Sequence, residues 1–222
     1  LKEVVIIDAA RTPIGKYRGS LSSFSAVELG TIITKELLEK TGIHKENINQ
    51  VIFGNVLQAG NGQNVARQIS VNSGIPVQVP AMTVNEVCGS GMKAVILARQ
   101  LIQLGEADLV VAGGTESMSR APLLQQYEAE NATYEEPISS MVNDGLTDAF
   151  SNAHMGLTAE KVANEFSVTR TEQDQYALNS QKKQLKLVKT GYLKQKLFPL
   201  LYLIKESWIK TKPSEGIVHW KN

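Results

Sequence analysis

The chain has 222 residues, 42% of them apolar and 20% charged, a balance that fits one large globular domain or two small ones and excludes an intrinsically disordered chain. One cysteine, Cys88, excludes an internal disulfide and a cysteine-rich zinc site, and the scattered His44, His154 and His219 form no local metal motif. The net charge of +1 predicts no nucleic-acid partner but hides a split: residues 1–184 hold 15 Lys+Arg against 20 Asp+Glu, whereas 185–222 hold 8 Lys against 2 Glu and both tryptophans, Trp208 and Trp220. The longest apolar run, residues 198–204, is too short to cross a bilayer, and no basic-then-apolar leader opens the sequence. Neither a membrane partner nor secretion is expected, and the setting is read as cytoplasmic.

Taken in chain order, residues 4–9 form an apolar, β-branched run of the kind buried in a sheet. Ser25-Ala-Val-Glu28 is a capping-box pattern, followed by Ala26, Leu29, Gly30, Ile33 and Leu37 at helical spacing, with Gly42 placed as a C-terminal cap. Residues 51–57 read as a second strand, 60–64 as a loop, 65–71 as a helix and 82–85 as a third strand. A tight turn around Cys88 leads into a long helix from about residue 89 to 104, so rich in apolar side chains that it is expected to be mostly enclosed. Residues 109–112 form the fourth strand, closed by Gly113-Gly114. Alternating strands and helices predict an α/β fold with parallel pairs and right-handed crossovers. From residue 115 to about 166 the periodicity fades, which in a compact domain marks functional loops more often than idle ones. One further helix is predicted from Thr171-Glu-Gln-Asp174 to about residue 184.

The strongest chemical signal is Asn85-Glu-Val-Cys-Gly-Ser-Gly91, between a strand and a helix. A cysteine there meets unpaired N–H groups and the positive end of the helix dipole, which favour its nucleophilic, negatively charged form. Gly89, Ser90 and Gly91 keep the surroundings small, leaving backbone N–H groups available to an oxyanion. The bland alternative is a small buried hydrophobe, the common fate of a free cysteine. Two rival motifs fail. Gly89-Ser-Gly-Met-Lys-Ala94 matches a dinucleotide fingerprint, but Asp108 precedes its strand instead of ending it. A serine-hydrolase elbow at Ser90 needs glycine where Cys88 stands. His154 and Met155 lie in the irregular segment, where a solvated histidine and a packing methionine compete with a functional reading.

Six blocks then resemble the thiolase family, in that family's order: Asp8-Ala-Ala-Arg-Thr-Pro-Ile-Gly15, Gly54-Asn-Val-Leu-Gln-Ala-Gly-Asn-Gly-Gln-Asn-Val-Ala-Arg67, Asn85-Glu-Val-Cys-Gly-Ser-Gly91, Ala112-Gly-Gly-Thr-Glu-Ser-Met-Ser119, Asp144-Gly-Leu-Thr-Asp-Ala-Phe150 and His154-Met-Gly-Leu-Thr-Ala-Glu160. The blocks look especially like the thiolase half of thiolase/hydroxymethylglutaryl-CoA reductase fusions of the bacterial mevalonate pathway. The resemblance implies a thiolase-like N-terminal half: a mixed, mostly parallel sheet with covering helices, plus an incomplete loop domain. It divides the chain into a core at 1–116, a partial substrate-binding domain at 117–184 and an aberrant basic tail at 185–222. It implies that Cys88 takes an acetyl group from acetyl-CoA as a thioester, and that a second acetyl-CoA condenses with it to acetoacetyl-CoA. Coenzyme A thioesters are then substrates and no separate cofactor is implied. Leu146 matches a position that contacts coenzyme A, and His154 and Met155 would line the acyl and pantetheine pocket. A homo-oligomer is also implied. The family's Gly-His-Pro block, its second cysteine and its Asn-Glu-Ala-Phe block do not occur here, so the base, the acid and part of the oxyanion machinery are absent from this sequence. The expectation is a truncated or frameshifted product, inactive alone or completed by another chain, with an unpaired sheet edge.

Overall fold

The computed structural model describes residues 3–190. Helix α1 (Ala26–Thr41) begins where the capping box places it. The Ser25 hydroxyl accepts from the Glu28 N–H at 3.1 Å, while the Glu28 carboxylate accepts from the Ser25 N–H at 2.8 Å. Gly42 ends the helix in the left-handed region at φ 65°, its N–H donating to the Leu38 and Glu39 carbonyls. The bond from the Ser25 backbone, then that from its hydroxyl, holds the Glu28 carboxyl below its ordinary value. Its contribution to stability is therefore present above the ordinary carboxylate range and is lost as pH falls through the lowered value. Ser25→Ala should lower stability by about 1 kcal/mol at neutral pH, with a smaller loss in acid, read as the shift in thermal midpoint at the two pH values.

Three parallel strands follow, β1 (Gln50–Gly54), β2 (Ala81–Val84) and β3 (Val110–Gly114), in the order β2-β1-β3. Helix α2 (Val65–Asn72) joins the first two, and α3 (Ser90–Leu104) joins β2 to β3. The central strand pairs Val51 with Ala81 on one side and Val111 on the other. Period-two alternation divides β1 between two layers. Val51 and Phe53 enter a core with Val27, Leu38, Val65 and Ile69 from α1 and α2. Gly54, of the opposite parity, faces the first turn of α3. The parallel α/β architecture expected from the sequence is present.

Several expectations change. Residues 4–9 form no strand: Val5, Ile6 and Ile7 are 70%, 76% and 62% exposed, and the segment is tied to α1 by a 2.6 Å ion pair between Lys40 and Asp8. A β-branched run becomes a strand only where a neighbour supplies hydrogen bonds and a face to pack on, and none of the three strands does so here. Helix α3 is not mostly enclosed. Ser90, Ala94 and Ala98 are buried against the sheet, whereas Met92, Val95, Ile96 and Leu104 are exposed, with no covering layer among the described residues. Strand β3 runs on through Gly113 and Gly114, which lie against the Phe53 ring and the Gly91 backbone.

The irregular stretch holds more structure than its periodicity suggests. Two antiparallel pairs, Leu123–Leu124 with Ile138–Ser139 and Tyr127–Glu128 with Thr133–Tyr134, precede a π-helical segment at Met141–Leu146. Helix α4 (Met155–Glu165) carries Met155, Ala159, Val162 and Ala163 at helical spacing, yet none of its residues is buried. Helix α5 (Arg170–Lys189) starts two residues earlier than predicted because the capping pair is Thr169 and Glu172, with the Glu172 carboxylate accepting from the Thr169 N–H at 2.8 Å. It runs unbroken through residue 184. The apolar run at 198–204, both tryptophans and His219 lie outside the described residues. Among the described residues, no helix is long and apolar enough to cross a membrane.

Candidate active site

Strand β2 stops at Val84 and α3 starts at Ser90, leaving five residues to reverse the chain. Asn85 Oδ1 accepts from the Val87 N–H at 2.9 Å, and the Gly89 N–H donates to the Glu86 carbonyl at 3.0 Å. This compact turn leaves Cys88 exposed, so the bland reading of it as a buried hydrophobe does not apply. No side chain caps α3. The Ser90 and Lys93 N–H groups donate to the Val87 and Gly89 carbonyls. Between them, the N–H groups of Gly91 and Met92 lie in the first turn, where helix geometry supplies no intrahelical acceptor.

Cys88 opens onto a cavity of about 380 Å³. Gly54, Gly91 and Gly114 form its floor, backbone against backbone. A Cβ added to Gly114 would lie 3.1 Å from Gly91 Cα, and one added to Gly54 would lie 2.6 Å from the Gly91 nitrogen. The glycines thus bring the ends of β1 and β3 against the start of α3 more closely than any side chain allows. Leu57 and Leu146 add apolar wall. Leu146 arrives from the end of the π-helical segment, so two of the four residues singled out from the sequence, Cys88 and Leu146, share this cavity.

His154 and Met155 do not line it. His154 caps α4, its Nδ1 accepting from the Gly156 N–H at 3.1 Å, and it bridges to Thr147, which follows Leu146. Met155 is the exposed first residue of α4.

Glu116 received no role from the sequence, yet it organises part of the cavity lining. Its carboxylate accepts from the Asn55 side-chain amide at 2.8 Å, the Val56 N–H at 2.9 Å and the Leu57 N–H at 3.1 Å. The Asn55 amide also donates to the Thr115 carbonyl at 3.0 Å, joining the ends of β1 and β3. Burial pushes the Glu116 carboxyl above its ordinary value, against the lowering influence of the Val56, Leu57 and Asn55 bonds. The signal available in the sequence was an acidic residue two positions after an apolar strand and its glycines. Among the described residues, no group of three or more His, Cys, Asp or Glu is placed to hold a metal ion.

The family model described as "Thiolase, N-terminal domain" matches residues 4–217, a span that includes most of the lysine-rich segment. The chain is 48% identical over 203 residues to a protein of Escherichia coli (strain K12) named "Probable acetyl-CoA acetyltransferase", covering 90% of this chain and 52% of that one. It is 44% identical over 220 residues to mouse "Acetyl-CoA acetyltransferase, cytosolic", covering 99% and 55%. Among solved structures it is similar to a thiolase from Ascaris suum in complex with coenzyme A, with a TM-score of 0.86, 40% identity and coverage of 91% and 53%. The chain thus spans about half the length of these relatives. With the strand-turn-helix around Cys88 and a match along nearly its whole length, this chain belongs to the thiolase family, as an N-terminal domain.

Proposed function

We propose that this chain carries the nucleophilic half of a thiolase-type acetyl transfer, with Cys88 receiving the acetyl group of acetyl-CoA. The observation that carries the reading is the exposed Cys88 thiol at the mouth of a glycine-floored cavity, beside the uncapped first turn of α3. Sγ, as the thiolate, attacks the thioester carbonyl carbon, the Gly91 N–H in the cavity wall donates to the oxygen that becomes negative, and the carbon–sulfur bond to coenzyme A then breaks so that coenzyme A leaves as its thiolate. The product is an acetyl thioester on Cys88. Leu146 supplies apolar surface for the arm of coenzyme A, and His154 and Met155 flank its approach from the start of α4.

Condensation with a second acetyl-CoA requires removal of a proton from its methyl group. Among the described residues, the cavity presents Glu116 as its one ionisable group besides Cys88, and the three donors that hold Glu116 tie it to the wall. Full turnover to acetoacetyl-CoA is therefore assigned to this chain together with a second chain segment that brings the base and acid. The exposed apolar surfaces of residues 5–7 and of α3 favour such a completed assembly. Lack of one acid–base group slows a reaction by roughly 10²–10⁴-fold, so the chain alone should react slowly and stop at one acetyl group. Incubation with acetyl-CoA followed by intact-mass measurement should show a single acetyl adduct, absent in Cys88→Ala. An adduct that persists in Cys88→Ala, or no adduct on the folded chain, would sink the reading.

A further inference from the structure

The turn that presents Cys88 is held in a conformation that one of its own residues disfavours. Val87 sits at φ 51°, in the left-handed region that a β-branched side chain rarely enters. Its peptide groups are tied down on both sides. Asn85 Oδ1 accepts from the Val87 N–H at 2.9 Å, and the Val87 carbonyl accepts from the Ser90 hydroxyl at 2.6 Å and from the Ser90 N–H at 3.1 Å. The same hydroxyl accepts from the Glu86 N–H at 2.8 Å. Its proton and a lone pair are thus both committed to backbone on either side of the Glu86–Val87 peptide bond.

Ser90 is only 4% exposed, so water has little access to replace it. It is also backed by β1, since a Cβ at Gly54 would lie 2.6 Å from Ser90 Cβ. The serine is the fixed point of the turn, and Cys88 is the residue it leaves outside.

We infer that Ser90 is a positioning residue for the nucleophile. Its hydroxyl clamps Val87 in the left-handed region and so sets Cys88 Sγ at the cavity, beside the first turn of α3. Its purpose rests on the acyl-transfer reading, whereas its test does not, because a thiol alkylator reports on Cys88 directly and the chain has no other cysteine.

The experiment follows alkylation of the full chain by iodoacetamide using mass spectrometry, with thermal unfolding of each variant in parallel. Ser90→Ala should slow alkylation about ten-fold, the scale of losing one to two hydrogen bonds. Ser90→Ala/Val87→Asn should recover most of that rate, because asparagine tolerates the left-handed region. A serine that served packing alone would give no such recovery. An unchanged or faster rate in folded Ser90→Ala overturns the inference, as does a double variant as slow as the single one. If Ser90→Ala does not fold, Val87→Asn alone decides: a raised thermal midpoint supports a strained valine held in place, and an unchanged or lowered midpoint overturns it. Failure of acetyl transfer with this alkylation pattern intact refutes the acyl-transfer reading and leaves the positioning role standing.

Discussion

Gly54→Ala should impair the site more than any other single methyl group added to its floor. The new Cβ would lie 2.4 Å from the Ser90 carbonyl carbon and 2.6 Å from the Gly91 nitrogen, both backbone atoms of the first turn of α3. A flexible side chain can swing away from such a contact, but a helix start must move as a body. Overpacking of this kind costs roughly 1–3 kcal/mol. The larger effect falls on chemistry, because the displaced turn carries Cys88, and a misplacement of about 1 Å at a reacting atom costs roughly 10²-fold. The expected result is a modest fall in thermal midpoint with a near-complete loss of acetyl uptake at Cys88. Gly42→Ala provides the contrast. Nothing lies within 4 Å of its Cβ position, and the strain arises only from its φ of 65°, so stability should fall while Cys88 acetylation persists. Equal acetylation rates in Gly54→Ala and the unaltered chain would show that the glycine floor does not set the nucleophile.

The second large effect is expected at Glu116. In Glu116→Gln one carboxylate oxygen becomes an NH₂ group facing donors from Asn55, Val56 and Leu57. At least one of these then loses its acceptor, at about 1–3 kcal/mol, and that part of the cavity wall loosens. The pH dependence has a definite sign. Because burial raises the folded-state carboxyl above its ordinary value of 4.5, the folded chain binds this proton more tightly than the unfolded chain does. The stabilising contribution of Glu116 is then fully present below about pH 4.5 and declines as pH rises through the raised value. Thermal midpoints of the unaltered chain and Glu116→Gln, measured across the acidic range, should converge as pH rises. A gap that widens with pH would mean that the three donors outweigh burial. The partly buried setting keeps this proton-linked part small beside the lost hydrogen bonds.

Both residues lie inside blocks that mark the family, yet their roles differ in how visible they are from the sequence. Cys88 is legible because cysteine, flanking glycine and serine, and a strand-to-helix junction all lie within a few residues. Helix α1 is legible for the same reason: its capping box spans Ser25 to Glu28 and its left-handed terminator is a glycine. The misplaced start of α5 shows the limit of that legibility, since Thr169 and Thr171 offer alternative capping patterns and only the observed bond to Glu172 chooses between them. His154 illustrates a different limit. Its helix-capping bond to Gly156 is local, but its place relative to Cys88 is not.

What the sequence by itself determined is the local and the periodic: the parallel α/β order, the capped start of α1, the turn before α3, and the lone thiol within it. These depend on hydrogen bonds and side-chain spacing over a few residues. Tertiary structure alone decided that Glu116 reaches Asn55, 61 positions earlier, and that Gly54 and Gly114 press against Gly91. Those contacts follow from strand register, which pairs Gly54 with Val84 on one side and Gly114 on the other. It also decided against a strand at residues 4–9, whose β-branched side chains specify a preference for burial but not the neighbour that would satisfy it.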